Sequence, residues 1–265
     1  MSTVPPRITV RNLAKHFTSG HMQVSALDDV NLVVNEGEFC CIVGPSGSGK
    51  STLLRILANL EKQTSGEINL RVTDPRRPLT AMVFQEQSIF PWMTVEENVG
   101  YGLRMRNIAR AERADIVRDY IAKVGLSHFA RAFPHQLSGG MKQRVSVARA
   151  FANDPQILLM DEPFASVDEQ TRILLQEELL RVWEGTHKTV VYITHSIDEA
   201  IVLGDRVLVM SARPGHIRAE TIVDLPRPRS VYQLKSSPQF GALVARVWET
   251  LRQEVLSSWR ETQAV

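Results

Sequence analysis

The most chemically specific stretch of the 265-residue chain is Gly44, Pro45, Ser46, Gly47, Ser48, Gly49, Lys50, Ser51 and Thr52. It fits G-x-x-x-x-G-K-[ST], with the short apolar run 39–43 before it and a helical leucine pattern after it. Glycines at this spacing permit a tight loop whose N–H groups converge on a β-phosphate, and the helix that follows adds its partial positive charge. Lys50 would reach the β and γ oxygens, and Ser51 would ligate Mg²⁺. The strand before and the helix after separate this pattern from an ordinary glycine-rich turn. A second feature lies at Asp161 and Glu162, where the apolar run 157–160 ends. Two acids at the carboxyl end of a buried strand stand where ligands bind in open α/β sheets. Asp161 would hold the Mg²⁺ shell together with Ser51, while Glu162 would face the γ-phosphate and polarise a water for in-line attack. Together the two features identify a nucleoside triphosphatase, and little else.

The elements that must position these residues follow from the apolar pattern. Short β-rich runs recur at 8–10, 30–34, 39–43, 82–84, 157–160, 190–193 and 207–210. Several lack alternation, which suits central strands of a sheet buried on both faces. Helical patterns lie between them: Leu53, Leu57 and Leu60 after the glycine loop, and Leu175, Leu179 and Trp183 before the run at 190. This is a layered α/β architecture. One stretch, 95–152, contains no convincing strand but carries a stripe at Ile116, Val117, Tyr120, Ile121 and Val124, and reads as an all-helical insertion. After Leu225 the run Pro226, Arg227, Pro228, Arg229 and Ser230 is expected to be a solvated linker. Phe240, Leu243, Val247 and Leu251 then mark a last amphipathic helix.

Composition bounds the rest. With 31 Lys plus Arg against 29 Asp plus Glu, 43% hydrophobic residues, 15 Gly and 13 Pro, the chain is neither collagen-like, low-complexity nor disordered. A pI near 8.6 falls short of a dedicated nucleic-acid module. Cys40 and Cys41 are sequence neighbours, poorly placed to bridge, and are expected to be reduced core residues. No apolar stretch approaches the length of a bilayer span, and residues 1–6 lack the charged start and apolar run of a signal peptide. The seven histidines show no zinc-ligand spacing. Ser196 and Glu199 form an S-x-x-E capping box.

A third motif narrows the class. Leu137, Ser138, Gly139, Gly140, Met141, Lys142, Gln143 and Arg144, followed by an amphipathic pattern with Val145, Ala148 and Phe151, strongly resembles the signature of ABC-type ATPases. A hydroxyl and two glycine N–H groups opening a helix form a second anion site in the same chain. Other positions match the family in the expected order, across about the first 225 residues. Phe17 falls where the family stacks an aromatic on adenine. Gln85 matches the glutamine that touches the metal and attacking water and links the core to the helical insertion. Ser166, Val167 and Asp168 match the D-loop, though Ala-Leu-Asp or Gly-Leu-Asp is commoner there. His195 matches the switch histidine that contacts the γ-phosphate.

The resemblance implies an α/β P-loop NTPase fold of ABC type, a mixed sheet core with an inserted helical subdomain. It places the ATPase domain at 1–225, with the helical subdomain at 86–137, and a linker with a C-terminal helix at 226–265. Met141 stands where Gln is usual; Met cannot donate a side-chain hydrogen bond, and recognition is left to Ser138 and the glycine N–H groups. With the runs 84–86, 90–98 and 160–164, the sequence resembles the branch serving nitrate, sulfonate, taurine or bicarbonate importers. The implied assembly is a homodimer in which the signature of one subunit closes on the phosphate loop of the other, with ATP and Mg²⁺ between them. It would sit on two transmembrane permease subunits at the cytoplasmic face of the inner membrane, fed indirectly by a solute-binding protein, with no nucleic acid involved. Two rivals use the same motifs, an ATPase of nucleic-acid maintenance and a scaffold ATPase of cofactor assembly. The absence of cysteine pairs, of long coiled coils and of a second motif set disfavours the first; co-purification with permeases would separate the second.

Overall fold

A computed structural model describes residues 5–19, 22–86 and 88–263. The first four residues of the leader reading lie outside them. The chain divides into two compact units, Met1–Thr73 with His187–Val265, and Asp74–Thr186.

The first unit contains an antiparallel sheet in which β1 (Pro6–Ser19) pairs on one side with β2 (Met22–Asn35) and on the other with β4 (Ser65–Leu70). The runs at 8–10 and 30–34 are therefore only the buried centres of two long strands. Its second sheet places β3 (Phe39–Val43) between β7 (Thr189–Ile193) and β8 (Arg206–Met210), all parallel. The antiparallel β9 (Ile217–Ile222) flanks β8. Every residue of β3 and β7 is buried, the pattern expected of parallel strands covered on both faces. Cys40 and Cys41 are fully buried in β3, and burial pushes both thiols up. They are core residues, as expected. Among the described residues four helices complete this unit: α1 (Lys50–Leu57), α6 (Ile197–Leu203), the short α7 (Val231–Lys235) and α8 (Pro238–Gln263). Helix α8 packs on α6, β8 and β9, and its Phe240, Val247 and Leu251 are buried.

The second unit pairs β5 (Thr80–Val83) in parallel with β6 (Ile157–Asp161). Between them lie α2 (Val95–Met105), α3 (Arg110–Lys123) and α4 (Gly139–Ala152), with two single turns of 3₁₀ helix and no strand among the described residues. Val117, Ile121 and Val124 are buried with Val99, Leu103 and Val145, so the α3 stripe is the seam of this helical insertion. Thr94 and Glu97 form a reciprocal capping box at the start of α2. The buried Asn98 ties the preceding turn down, accepting from Phe90 N and donating to the carbonyls of Phe90, Met93 and Thr94. Helix α5 (Glu169–Glu184) buries Leu175, Leu179 and Trp183.

Four expectations change. Helix α1 ends at Leu57, and Leu60 lies beyond it, 59% exposed. Strands β4 and β9 carry polar, partly exposed residues that hide them from an apolar-run reading. The run 226–230 is only partly solvated: Pro226, Pro228 and Ser230 are exposed, but Arg229 is buried and donates to the carbonyls of Ile201, Val202, Gly204, Val223 and Leu225. Arg227 binds Asp205 and the Leu203 carbonyl. Finally, the capping box at α6 is half formed, because Ser196 Oγ accepts from Glu199 N while the Glu199 carboxylate accepts from the Thr194 hydroxyl.

Candidate active site

In the first unit, β3 delivers the chain into the phosphate loop and α1 takes it out. Gly49 caps α1 at φ 87° and Gly47 lies at φ 77°, both left-handed. A side chain at Gly49 would also collide with Leu27, whose Cδ2 lies 2.5 Å from where a Cβ would stand. Glycine is therefore required there on two counts. Left-handed residues at such positions are what lets backbone N–H groups curl into an anion-binding nest. Lys50 is 5% exposed, and its ammonium donates to the carbonyls of Gly44 (2.9 Å) and Pro45 (2.8 Å) and to Ser48 Oγ (3.3 Å). A cation is thus held over the loop itself. Gly44, Pro45 and Ser48 are buried, Ser46 and Gly47 exposed, and Ser51 and Thr52 half-buried in the first turn of α1. Phe17 on β1 is 40% exposed, with the Lys15 ammonium 4.6 Å from its ring centre. His195 is exposed just after β7, on a turn fixed by Thr194 Oγ1, which accepts from Ser196 N at 3.0 Å.

In the second unit, β6 carries Asp161 and ends before Glu162; both are buried, 3% and 8% exposed. Glu162 adopts φ 45°, a left-handed conformation rare for a side chain of its type. Gln85, past the end of β5, donates from Nε2 to Glu162 Oε2 at 3.2 Å. These two sequence candidates thus share a hydrogen bond. Ser138 is the N-cap of α4 and accepts from Met141 N, and Gly139 opens the helix; both are exposed. Gly140 lies against α5, where a Cβ would stand 2.9 Å from Thr171 Cγ2. Asp168 caps α5, accepting from Thr171 N at 2.9 Å, and these bonds from Thr171 hold its carboxyl below the usual range. The signature and the D-loop are therefore neighbours within one unit.

A family model described as ABC transporter matches residues 27–165. The chain belongs to the ABC transporter family. It is 46% identical over 254 residues to an uncharacterized ABC transporter ATP-binding protein of Methanocaldococcus jannaschii, covering 95% of this chain and 94% of that protein. The nitrate import ATP-binding protein NrtD of Synechocystis is 44% identical, over 88% of this chain and 90% of NrtD. The aliphatic sulfonates import ATP-binding protein SsuB of Bacillus cereus is 40% identical, over 91% and 94%. Among solved structures, the dimeric post-hydrolysis state of the ATP-binding cassette MJ0796 bound to ADP and Pi aligns at TM-score 0.72 and 34% identity, over 83% of this chain and all of that one. The fold is thus that of an ABC ATPase, a mixed α/β core with helices, and the chain is an ATPase that binds ATP. Lys50 opens α1 and Ser138 caps α4, so each of the two motifs stands at the N-terminus of a helix. One feature of this ABC chain escaped the sequence reading, the turn 211–216 that packs on the phosphate loop. Its only sequence signal is Pro214 followed by Gly215 after the apolar run 207–210.

Proposed function

We propose that the chain is the ATP-hydrolysing subunit of an importer that takes up a small solute of the nitrate, sulfonate, taurine or bicarbonate type. The observation that carries this reading is the 44% and 40% identity to subunits named for nitrate and aliphatic sulfonate import, over about nine-tenths of the chain. Two copies would act together, the signature of each (Ser138, Gly139, Gly140) meeting the nucleotide on the phosphate loop of the other, with Asp168 beside the shared contact. The dimer would bind two permease subunits at the cytoplasmic face of the membrane, through the helical subdomain at 86–137, and serve a solute-binding protein indirectly. No helix among the described residues is long and apolar enough to cross a membrane.

The residues divide the work as follows. Phe17 stacks on adenine, and the loop 44–52 surrounds the β-phosphate, with Lys50 drawn toward the β and γ oxygens. Ser51, Asp161 and Gln85 offer oxygen donors, a set that suits Mg²⁺, a hard cation that keeps phosphate and water ligands. When bound, Mg²⁺ supplies charge neutralisation on the phosphate oxygens. Glu162 accepts a proton from the attacking water, and its bond to Gln85 fixes the carboxylate in one orientation. His195 contacts the γ-phosphate. The test is ATP-dependent uptake of nitrate, bicarbonate and alkylsulfonates into vesicles holding the purified complex. Uptake of none of them, by an assembly that hydrolyses ATP, overturns the solute class.

A further inference from the structure

The turn 211–216, joining β8 to β9, forms the outer wall of the phosphate loop. Its Gly215 bridges Leu27 on β2, donating to Ala26 O at 3.0 Å and accepting from Asp28 N at 3.1 Å. On its other face Gly215 is pressed against Ser48: a Cβ there would stand 1.9 Å from Ser48 O. Neighbouring contacts extend the wall. Met210 O lies 2.9 Å from where a Cβ of Gly44 would stand, and Arg213 Nη2 lies 3.6 Å from that of Gly47. Gly47 and Ser48 therefore meet the turn, and Gly44 meets the β8 residue that leads into it.

The turn is tied internally and at one further point. Ser211 N donates to His216 O at 2.9 Å, His216 N donates to Ser211 Oγ at 2.9 Å, and the Ser211 hydroxyl lies within hydrogen-bond reach of Pro214 O and His216 Nδ1. The amide of Ala212 leaves the turn and donates to Glu254 Oε2 on α8 at 3.1 Å. The other oxygen of that carboxylate, Oε1, takes Arg218 Nε on β9 at 3.3 Å. The Glu254 side chain is 14% exposed, so its charge-assisted bond from the Ala212 amide is largely shielded from water, while Arg218 is 55% exposed. One carboxylate thus joins the C-terminal helix, the turn and the strand after it.

We propose that Glu254 is a positioning residue for the phosphate loop: through Ala212 it holds the turn whose Gly215 braces Ser48, and so couples the docking of α8 to nucleotide affinity. The inference rests on the reading that 44–52 bind the nucleotide phosphates. Coupling between two sites is reciprocal in binding free energy, so nucleotide must tighten the α8 contact by the same factor that the contact tightens nucleotide.

Three measurements on the full chain test this. ATP affinity and the KM-against-kcat split are measured for Glu254→Ala, Glu254→Gln and Lys50→Ala, and amide exchange at residues 211–216 and 250–256 is followed with and without ATP. Glu254→Ala should raise both Kd and KM for ATP about fivefold or more, the lower range of typical coupling, with kcat at saturation close to wild type. Glu254→Gln keeps an acceptor for the Ala212 amide and should restore most of the affinity. ATP should slow exchange at Ala212 and around Glu254 in the unaltered chain, a readout that needs no variant to fold. Unchanged affinity in Glu254→Ala, or exchange at Ala212 indifferent to ATP, overturns the coupling provided Lys50→Ala has lost nucleotide. If Lys50→Ala binds ATP normally, the phosphate-loop reading itself fails and the inference falls with it.

Discussion

Glu162→Gln separates binding from chemistry. Glu162 is 8% exposed and accepts one hydrogen bond from Gln85 at 3.2 Å. The amide oxygen of glutamine can accept the same bond. The backbone at φ 45° carries a Cβ in either case, so the substitution adds no new strain there. What disappears is the capacity to take a proton from water. General-base removal costs on the order of 10²- to 10⁴-fold in rate. Converted, this is about 2.7 to 5.5 kcal/mol of transition-state stabilisation. Lys50, Ser51 and Asp161 are untouched, so ATP and Mg²⁺ should bind as before, and the signature at Ser138 should still close on the partner's γ-phosphate. The closed state would then persist. The assay is size exclusion in ATP and Mg²⁺ beside a phosphate-release measurement. Wild type should elute largely as monomer, and Glu162→Gln as a stable dimer holding two ATP at 10²-fold or lower turnover. Near wild-type turnover would refute the base assignment and transfer the chemistry to His195 or to water activated by the substrate itself. Slow turnover without a dimer would refute the shared-site geometry instead.

Four further outcomes are expected. Lys50→Ala should weaken nucleotide binding and abolish ATP-driven uptake, since it removes the buried cation that now caps the loop carbonyls; equilibrium binding and vesicle transport check it. Phe17→Ala should raise KM for ATP with little loss of kcat, because stacking on the base is equal in ground and transition states. Ser138→Arg should bind ATP normally yet be inactive, and wild-type rate per chain should rise with protein concentration; a rate constant down to high dilution would show that one chain suffices. Arg229→Ala removes a buried cation that donates to five backbone carbonyls, and should cost about 2–4 kcal/mol in urea unfolding while leaving KM for ATP unchanged.

How far each element was legible depends on whether its cause is local. The phosphate loop could be read because its constraint sits within a few residues: Gly47 and Gly49 must take positive φ, and Lys50 must open a helix. The signature was legible for the same reason, Ser138 and Gly139 being an N-cap and first helical residue. The long strands β1 and β2 were seen only at their buried centres, because the pattern reports burial rather than hydrogen bonding, and their outer residues pair without being covered. Arg227 and Arg229 failed for the opposite reason. In sequence they resemble a solvated linker, and their role is set by carbonyls supplied from residues 201–204 and 223–225, which only the folded chain gathers.

Glu162 combines both cases. Its place after a buried strand was legible, but its left-handed backbone was not, since nothing in Met160, Asp161 and Pro163 demands it. A conformation of that kind costs of order 1–3 kcal/mol and persists only where surrounding structure over-determines it. Here Ala165 N donates back to Glu162 O at 3.1 Å, and Gln85 holds the carboxylate. At the residue proposed to activate water, a backbone bond therefore holds the strained main chain while the bond from Gln85 fixes where the carboxylate points. That predicts a hierarchy: Gln85→Ala, which releases the carboxylate but leaves it ionisable, should lower kcat by less than Glu162→Gln and leave ATP affinity near wild type. An equal loss in the two variants would show that Gln85 contributes more than orientation, through the metal or the water itself.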